Sequence, residues 1–169
     1  MKKKVLVFAS GTKESGGSGF LNLVKQSRER NLPFEVVAVV SNHADGGVKK
    51  RSEELSIPFV HFEKPYTGER YQEIVSKYSP DVIALSGWLK LVTGLDPQKT
   101  INIHPGPLPR FGGKGMYGHF VHEAVVEAFK KGQVKHSKVT MHFVTENYDE
   151  GPVFFTCKVP ILENDTAET

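Results

Sequence analysis

Residues 5–9, Val-Leu-Val-Phe-Ala, form an unbroken apolar run ending at Ser10-Gly11. That is the pattern of a strand buried on both faces. A glycine-rich stretch follows. Residues 20–30, with Leu21, Leu23 and Val24 ahead of a charged tail, then predict a helix. The same reading predicts strands over 34–40, 59–62, 82–86, 100–104, 139–144 and 153–159, and helices over 47–55, 69–78 and 118–131. In the last helix Phe120, Val121, Ala124, Val125 and Ala128 fall on one side. Residues 164–169, Asn-Asp-Thr-Ala-Glu-Thr, read as the capped start of a further helix.

Buried strands alternating with helices predict an α/β fold, a doubly wound, mostly parallel, Rossmann-like sheet with helices on both faces. There is no repeat, low-complexity tract or linker, and 169 residues suit one domain, so a single domain over 1–169 is expected. In such sheets ligands bind beyond the carboxyl ends of the strands. Residues 11–19, 87–91 and 105–118 all follow predicted strands and are expected to share one crevice.

Composition narrows the function. A net charge of +3 is too small to favour nucleic acid as a partner. With one cysteine, Cys157, no internal disulfide can form, which fits a cytoplasmic setting. Lys2, Lys3 and Lys4 before an apolar run mimic a signal peptide, but the run is too short for one, and none approaches a membrane span of ~20 residues.

The first loop, Ser10-Gly11-Thr12-Lys13-Glu14-Ser15-Gly16-Gly17-Ser18-Gly19, spaces Gly11 and Gly16 as a Walker A motif does. It has Gly17 where that motif needs lysine, and it fails the dinucleotide fingerprint at Asn22. Its pattern fits a backbone phosphate cradle or a flexible turn equally. Residues 87–92, Gly-Trp-Leu-Lys-Leu-Val, fit packing at a helix start better than a flat aromatic pocket. Asn102 and His104 are two apart on a strand and share a face, with Ile101 and Ile103 expected to fill the other. An amide beside an imidazole, before the rigid Pro105-Gly106-Pro107-Leu108-Pro109 exit, suits oxyanion stabilisation and proton transfer. Residues 147–152, Asn-Tyr-Asp-Glu-Gly-Pro, read first as a turn. Asp149 gains meaning only beside His104, where its charge would raise the imidazole pKa. His119 and His122 fit a solvated helix face better than a metal site, and His142, on the face of Thr140, fits packing better than chemistry.

Taken together, Asn102-Ile103-His104-Pro105, Leu108-Pro109, residues 111–118 (Phe-Gly-Gly-Lys-Gly-Met-Tyr-Gly), Val121-His122-Glu123-Ala124-Val125, and His142-Phe143-Val144 through Asp149-x-Gly151-Pro152-Val153 resemble the folate-dependent formyltransferases. The 111–125 stretch most resembles the phosphoribosylglycinamide formyltransferases. The first loop departs from the family by its length and by Phe20 in place of an asparagine, and the chain as given stops before the family's C-terminal helix.

The resemblance implies transfer of a formyl group from 10-formyltetrahydrofolate to the amine of glycinamide ribonucleotide in purine synthesis, without a metal. It implies ribosyl phosphate at Gly17, Ser18, Gly19, Phe20 and Leu21. It implies the folate pterin at Leu89, Lys90, Leu91 and Val92, the folate tail at Arg70, and a folate contact with Asn102. It implies Asn102 and a protonated His104 on the oxyanion, His104 as acid, and Asp149 keeping His104 protonated. The expected partners are these two small molecules, with no nucleic acid or membrane, and the chain as a monomer or weak homodimer. The competing expectations are a sugar-nucleotide N-formyltransferase and a non-catalytic phosphate-ligand-binding domain.

Overall fold

A computed structural model describes residues 1–169. Seven strands and four helices alternate along an α/β chain, with strand order β3-β2-β1-β4-β5-β6-β7. The chain forms two compact units, Met1–Ile101 and Asn102–Thr169, where one domain is expected from sequence.

The first unit carries β1 (Lys3–Phe8), α1 (Ser18–Glu29), β2 (Phe34–Ser41), α2 (Gly47–Glu54), β3 (Phe59–His61), α3 (Gly68–Tyr78) and β4 (Val82–Leu85). β1 pairs in parallel with both β2 and β4, and β2 with β3. Both faces of β1 are buried, as its unbroken apolar run requires. Val5, Val7 and Ala9 pack with Phe20 and Val24 of α1 and Val48 of α2. On the alternate positions Leu6 and Phe8 are fully buried, and the Phe8 ring meets Tyr71 and Trp88 at centroid distances of 5.7 and 5.4 Å. The lysines before the run belong to the strand: Lys3 Nζ pairs with Asp81 at 2.9 Å, and the Lys4 N–H donates to the same carboxylate.

β5 (Thr100–His104) runs from the first unit into the second, which adds α4 (His119–Lys130), β6 (His136–Phe143) and β7 (Val153–Pro160). Val121, Val125 and Ala128, at helical spacing, bury one stripe of α4 with Phe111. Phe120 departs from that stripe and is 52% exposed, stacked edge-on against Tyr117. β6 and β7 pair antiparallel. Every residue of β7 is exposed, and Ile103 is 44% exposed, so that isoleucine does not fill a covered face. The expected helix at 164–169 is absent. Its capping residues instead close a turn on themselves, the Glu168 N–H donating to Thr166 Oγ1. No helix is long and apolar enough to cross a membrane.

Candidate active site

In the first unit the buried Ser10 ties together the ends of β1, β2 and β4. Its N–H donates to Gly87 O, its carbonyl accepts from Ser41 Oγ, and its hydroxyl accepts from the Leu89 N–H at 3.0 Å. The glycine loop and the 87–92 segment are therefore neighbours, as the sequence predicts for two of its three loops. The inserted residues of the loop fold into a small turn, with the Ser15 N–H on Thr12 Oγ1 and the Thr12 N–H on Ser15 O. Gly17 then caps α1 at φ 75°, a left-handed conformation that favours glycine, with no side-chain cap bond. A cap of that kind leaves the N–H groups of Ser18, Gly19 and Phe20 for an anion.

Within the expected phosphate set, one N–H is already bonded and one side chain is turned inward. The Leu21 N–H is spent on Gly17 O at 2.9 Å, and the Phe20 side chain is fully buried in the core. The main-chain N–H groups of residues 18–20 and the exposed Ser18 hydroxyl remain as donors. Gly19 packs against Ser86, whose hydroxyl would have to turn aside for a Cβ at that position. Arg51, which sequence reasoning missed, has its Nη1 buried without an acceptor, 3.6 Å from where a Cβ on Gly17 would lie. No periodicity marks it, since it stands among charged residues of α2.

The 87–92 segment alternates in burial. Trp88 and Val92 point inward, while Leu89 and Leu91 are 41% and 38% exposed. Trp88 stacks parallel to Phe62 and donates Nε1–H to Tyr71 Oη, which donates in turn to Leu91 O at 3.0 Å. The outward leucines thus form an apolar ledge on a braced support. Lys90 Nζ lies 6.0 Å from the Tyr66 ring centroid. Arg70 braces the chain between β3 and α3. Its Nη1 donates to Glu63 O and Pro65 O, and its guanidinium lies over Phe62.

In the second unit four polar side chains converge. Asn102 and His104 come from β5, His142 from β6 and Asp149 from the turn before β7. The Asp-x-Gly-Pro spacing builds that turn. Asp149 takes φ 56°, a Cβ at Gly151 would overlap Phe143 O, and the Phe143 N–H closes the strand on Pro152 O. The carboxylate is then fixed on Oδ2 by the Gly113 N–H at 3.0 Å, and Oδ1 accepts from Asn102 Nδ2 at 3.4 Å. His104 Nδ1 faces Oδ2 at 3.6 Å. Thr140 Oγ1 donates to Gly106 O and anchors the proline-rich exit.

His104 is 3% exposed, and its Nε2 lies 2.7 Å from Phe111 O. A carbonyl only accepts, so Nε2 carries the proton and Nδ1 is the nitrogen that titrates. Desolvation pulls the His104 pKa below the ordinary imidazole value. The Asp149 charge and the Phe111 bond oppose it without overcoming it. The expectation that Asp149 keeps His104 protonated is corrected here: the carboxylate pushes in the predicted direction, but burial prevails. Burial pushes Asp149 up, yet its contacts with His142, Gly113 and His104 hold it below the ordinary carboxylate value. The resting site is therefore a carboxylate beside a neutral imidazole.

His142 corrects a second expectation. It is 2% exposed, but it is bonded into the site rather than packed as core, with Nε2 at 3.0 Å from Asn102 Nδ2. The signals available in sequence were its place in the His142-Phe143-Val144 segment of the family resemblance and its alternation with the equally buried Thr140. His119 pairs with Glu123 at 3.1 Å on a solvated helix face, and no group of three His, Cys, Asp or Glu side chains, His104, His142 and Asp149 included, has the arrangement to hold a metal ion.

The family described as Formyl transferase matches residues 3–169. The Bacillus subtilis (strain 168) phosphoribosylglycinamide formyltransferase is 34% identical, across 99% of this chain and 84% of its own length. The chloroplastic phosphoribosylglycinamide formyltransferase of Arabidopsis thaliana is 36% identical across 99% of this chain, which spans only 58% of that relative. The crystal structure of glycinamide ribonucleotide transformylase 1 from Symbiobacterium toebii matches with a TM-score of 0.81 at 30% identity. That match covers 99% of this chain and 77% of that one.

Proposed function

From the premise that the chain belongs to the formyl transferase family, we propose that it transfers the formyl group of 10-formyltetrahydrofolate to the amine of 5'-phosphoribosylglycinamide. The observation that carries this reading is the neutral His104 imidazole, with its titrating Nδ1 facing a fixed carboxylate, on the same strand as Asn102.

The neutral amine attacks the formyl carbon, and the carbonyl oxygen becomes an oxyanion. Asn102 donates an N–H to that oxygen. The new nitrogen–carbon bond leaves the amine cationic, and His104 Nδ1 takes its surplus proton. Asp149 stabilises the resulting imidazolium. The carbon–nitrogen bond to the folate then breaks, and the proton passes from Nδ1 to the departing folate nitrogen. His104 thus shuttles one proton and ends neutral, as it began. The phosphate is held by the N–H groups at 18–20, and the pterin rests on the Leu89 and Leu91 ledge. Arg70 reaches the folate tail only with donors other than Nη1, which is committed to the backbone.

The test is formyl transfer by the purified chain, followed by mass spectrometry of the acceptor. Glycinamide ribonucleotide should gain one formyl group at the expense of 10-formyltetrahydrofolate. Formylation of an amino-sugar nucleotide instead would replace this reading. Saturable phosphate-ligand binding without transfer to either acceptor would make the chain a binding domain.

A further inference from the structure

The network around Asn102 has one element that the proposed chemistry leaves unused. An oxyanion donor works only if its N–H points at the oxygen, and a primary amide is nearly symmetric in shape, so something must decide which end is nitrogen. In this site two acceptors face the amide nitrogen, and His142 is the nearer of them. Its Nδ1 lies 2.8 Å from the carbonyl of Phe143. That carbonyl can only accept, so Nδ1 carries the proton, and in the neutral ring Nε2 is an acceptor; Asp149 Oδ1, also an acceptor, lies 3.4 Å from it, beyond normal hydrogen-bond length, and the Asn102 amide nitrogen bridges the two. Nε2 is 3.0 Å from Asn102 Nδ2. An acceptor at that point requires the amide nitrogen to face it, and would repel the amide oxygen.

The tautomer is itself built into the turn. A Cβ at residue 151 would overlap Phe143 O and come within 3.5 Å of His142 Nδ1, so Gly151 keeps the carbonyl open to the ring. The two contacts made by Asn102 Nδ2 also differ in strength. The one to His142 is of normal length, whereas the one to Asp149 Oδ1 is long at 3.4 Å. The long contact is the one that yields when an oxyanion arrives, and the His142 bond holds the amide plane as it does so.

We propose that His142 is a positioning residue for formyl transfer. Through its Nδ1–H tautomer, fixed by the Phe143 carbonyl, it locks the Asn102 amide with nitrogen toward the site and frees its second N–H for the oxyanion. The assignment rests on the formyl-transfer reading of the same site. His142 acts through Asn102.

The test has two arms. In the first, nitrogen-15 NMR of the imidazoles in the full chain at neutral pH reads the tautomer directly, with no need for activity. The expected result is a pyrrole-type Nδ1 and a pyridine-type Nε2 for His142. The opposite tautomer, or an imidazolium, overturns the lock. In the second arm, His142→Gln places an acceptor near the Nε2 position, while His142→Asn reaches only the Nδ1 position. His142→Asn should lower kcat about 10- to 100-fold with KM nearly unchanged, the size of loss that misplaced catalytic groups produce. His142→Gln should recover most of it. Equal losses in folded Gln and Asn variants, or an effect on KM alone, would reduce His142 to a packing residue. Wild-type protein without formyl transfer would defeat the parent reading, and the NMR arm would still decide the lock.

Discussion

The glycine loop of the first unit and the Asn102–Asp149 constellation of the second work by opposite means. The loop offers main-chain N–H groups, held by a left-handed Gly17 and by a Gly19 packed against the Ser86 hydroxyl. The constellation offers side chains whose proton state is set by burial and by each other. A backbone site tolerates truncation of its side chains and is ruined by added volume. A side-chain site loses its function by truncation. One fold thus carries two kinds of fragility, and substitutions distinguish them.

The largest effect is expected for Asn102→Ala. Loss of one preorganised oxyanion donor costs about 10²–10³ in kcat. Steady-state kinetics should show this with little change in the melting temperature, and near wild-type turnover would remove Asn102 from the chemistry.

Gly19→Val comes next and acts by addition. The Ser86 hydroxyl must turn aside and the two extra methyl groups add volume beyond it; overpacking of this kind costs about 1–3 kcal/mol. Thermal unfolding should register that loss, and KM for glycinamide ribonucleotide should rise while folate affinity holds. A variant with wild-type stability and KM would mean that the first turn of α1 takes no phosphate.

Asp149→Asn changes charge with little change in volume. Asp149 raises the pKa of His104 against burial, so removing it should push that pKa still further below 6.5, the ordinary value. An NMR titration in which the His104 pKa stays put or rises would break the coupling. The same shift bears on stability. A histidine with a depressed pKa binds fewer protons folded than unfolded, so His104 contributes a loss of stability as pH falls below the ordinary imidazole value.

The smallest effect is expected for Lys13→Ala. Lys13 is exposed on the turn closed by Thr12 and Ser15, and exposed charge pairs are worth ~0–1 kcal/mol. KM for glycinamide ribonucleotide should move only modestly, and a larger rise than in Gly19→Val would reverse the comparison between backbone and side-chain binding.

Much of the fold was legible because its central strands are buried on both faces. The run Val5–Ala9 admits little else, and the strands and helices expected in residues 5–159 all form. What escaped reading depends on contacts made across the sequence. Phe120 and β7 look apolar and are exposed, because apolar character in a sequence does not say whether another element covers it. Asn102, His104 and Asp149 were legible as a motif, and the structure brings them together. The protonation of His104 was not, since desolvation is a property of the packed site and no neighbouring residue in the sequence announces it. His142 was legible only as part of the family resemblance and not from its own pattern, for a related reason: a lone histidine on a strand becomes a site residue only when the turn at 147–152 delivers Asp149 beside it.

The central claim is that the second unit's constellation performs the formyl transfer. Its most direct test is a single-turnover measurement with His104→Ala, both substrates saturating and their binding measured separately. The account predicts a transfer rate about 10²–10³ slower, the loss typical of a positioned proton-transfer or oxyanion group, with both affinities nearly unchanged. A folded His104→Ala variant that transfers formyl within a few-fold of the wild-type rate would contradict it.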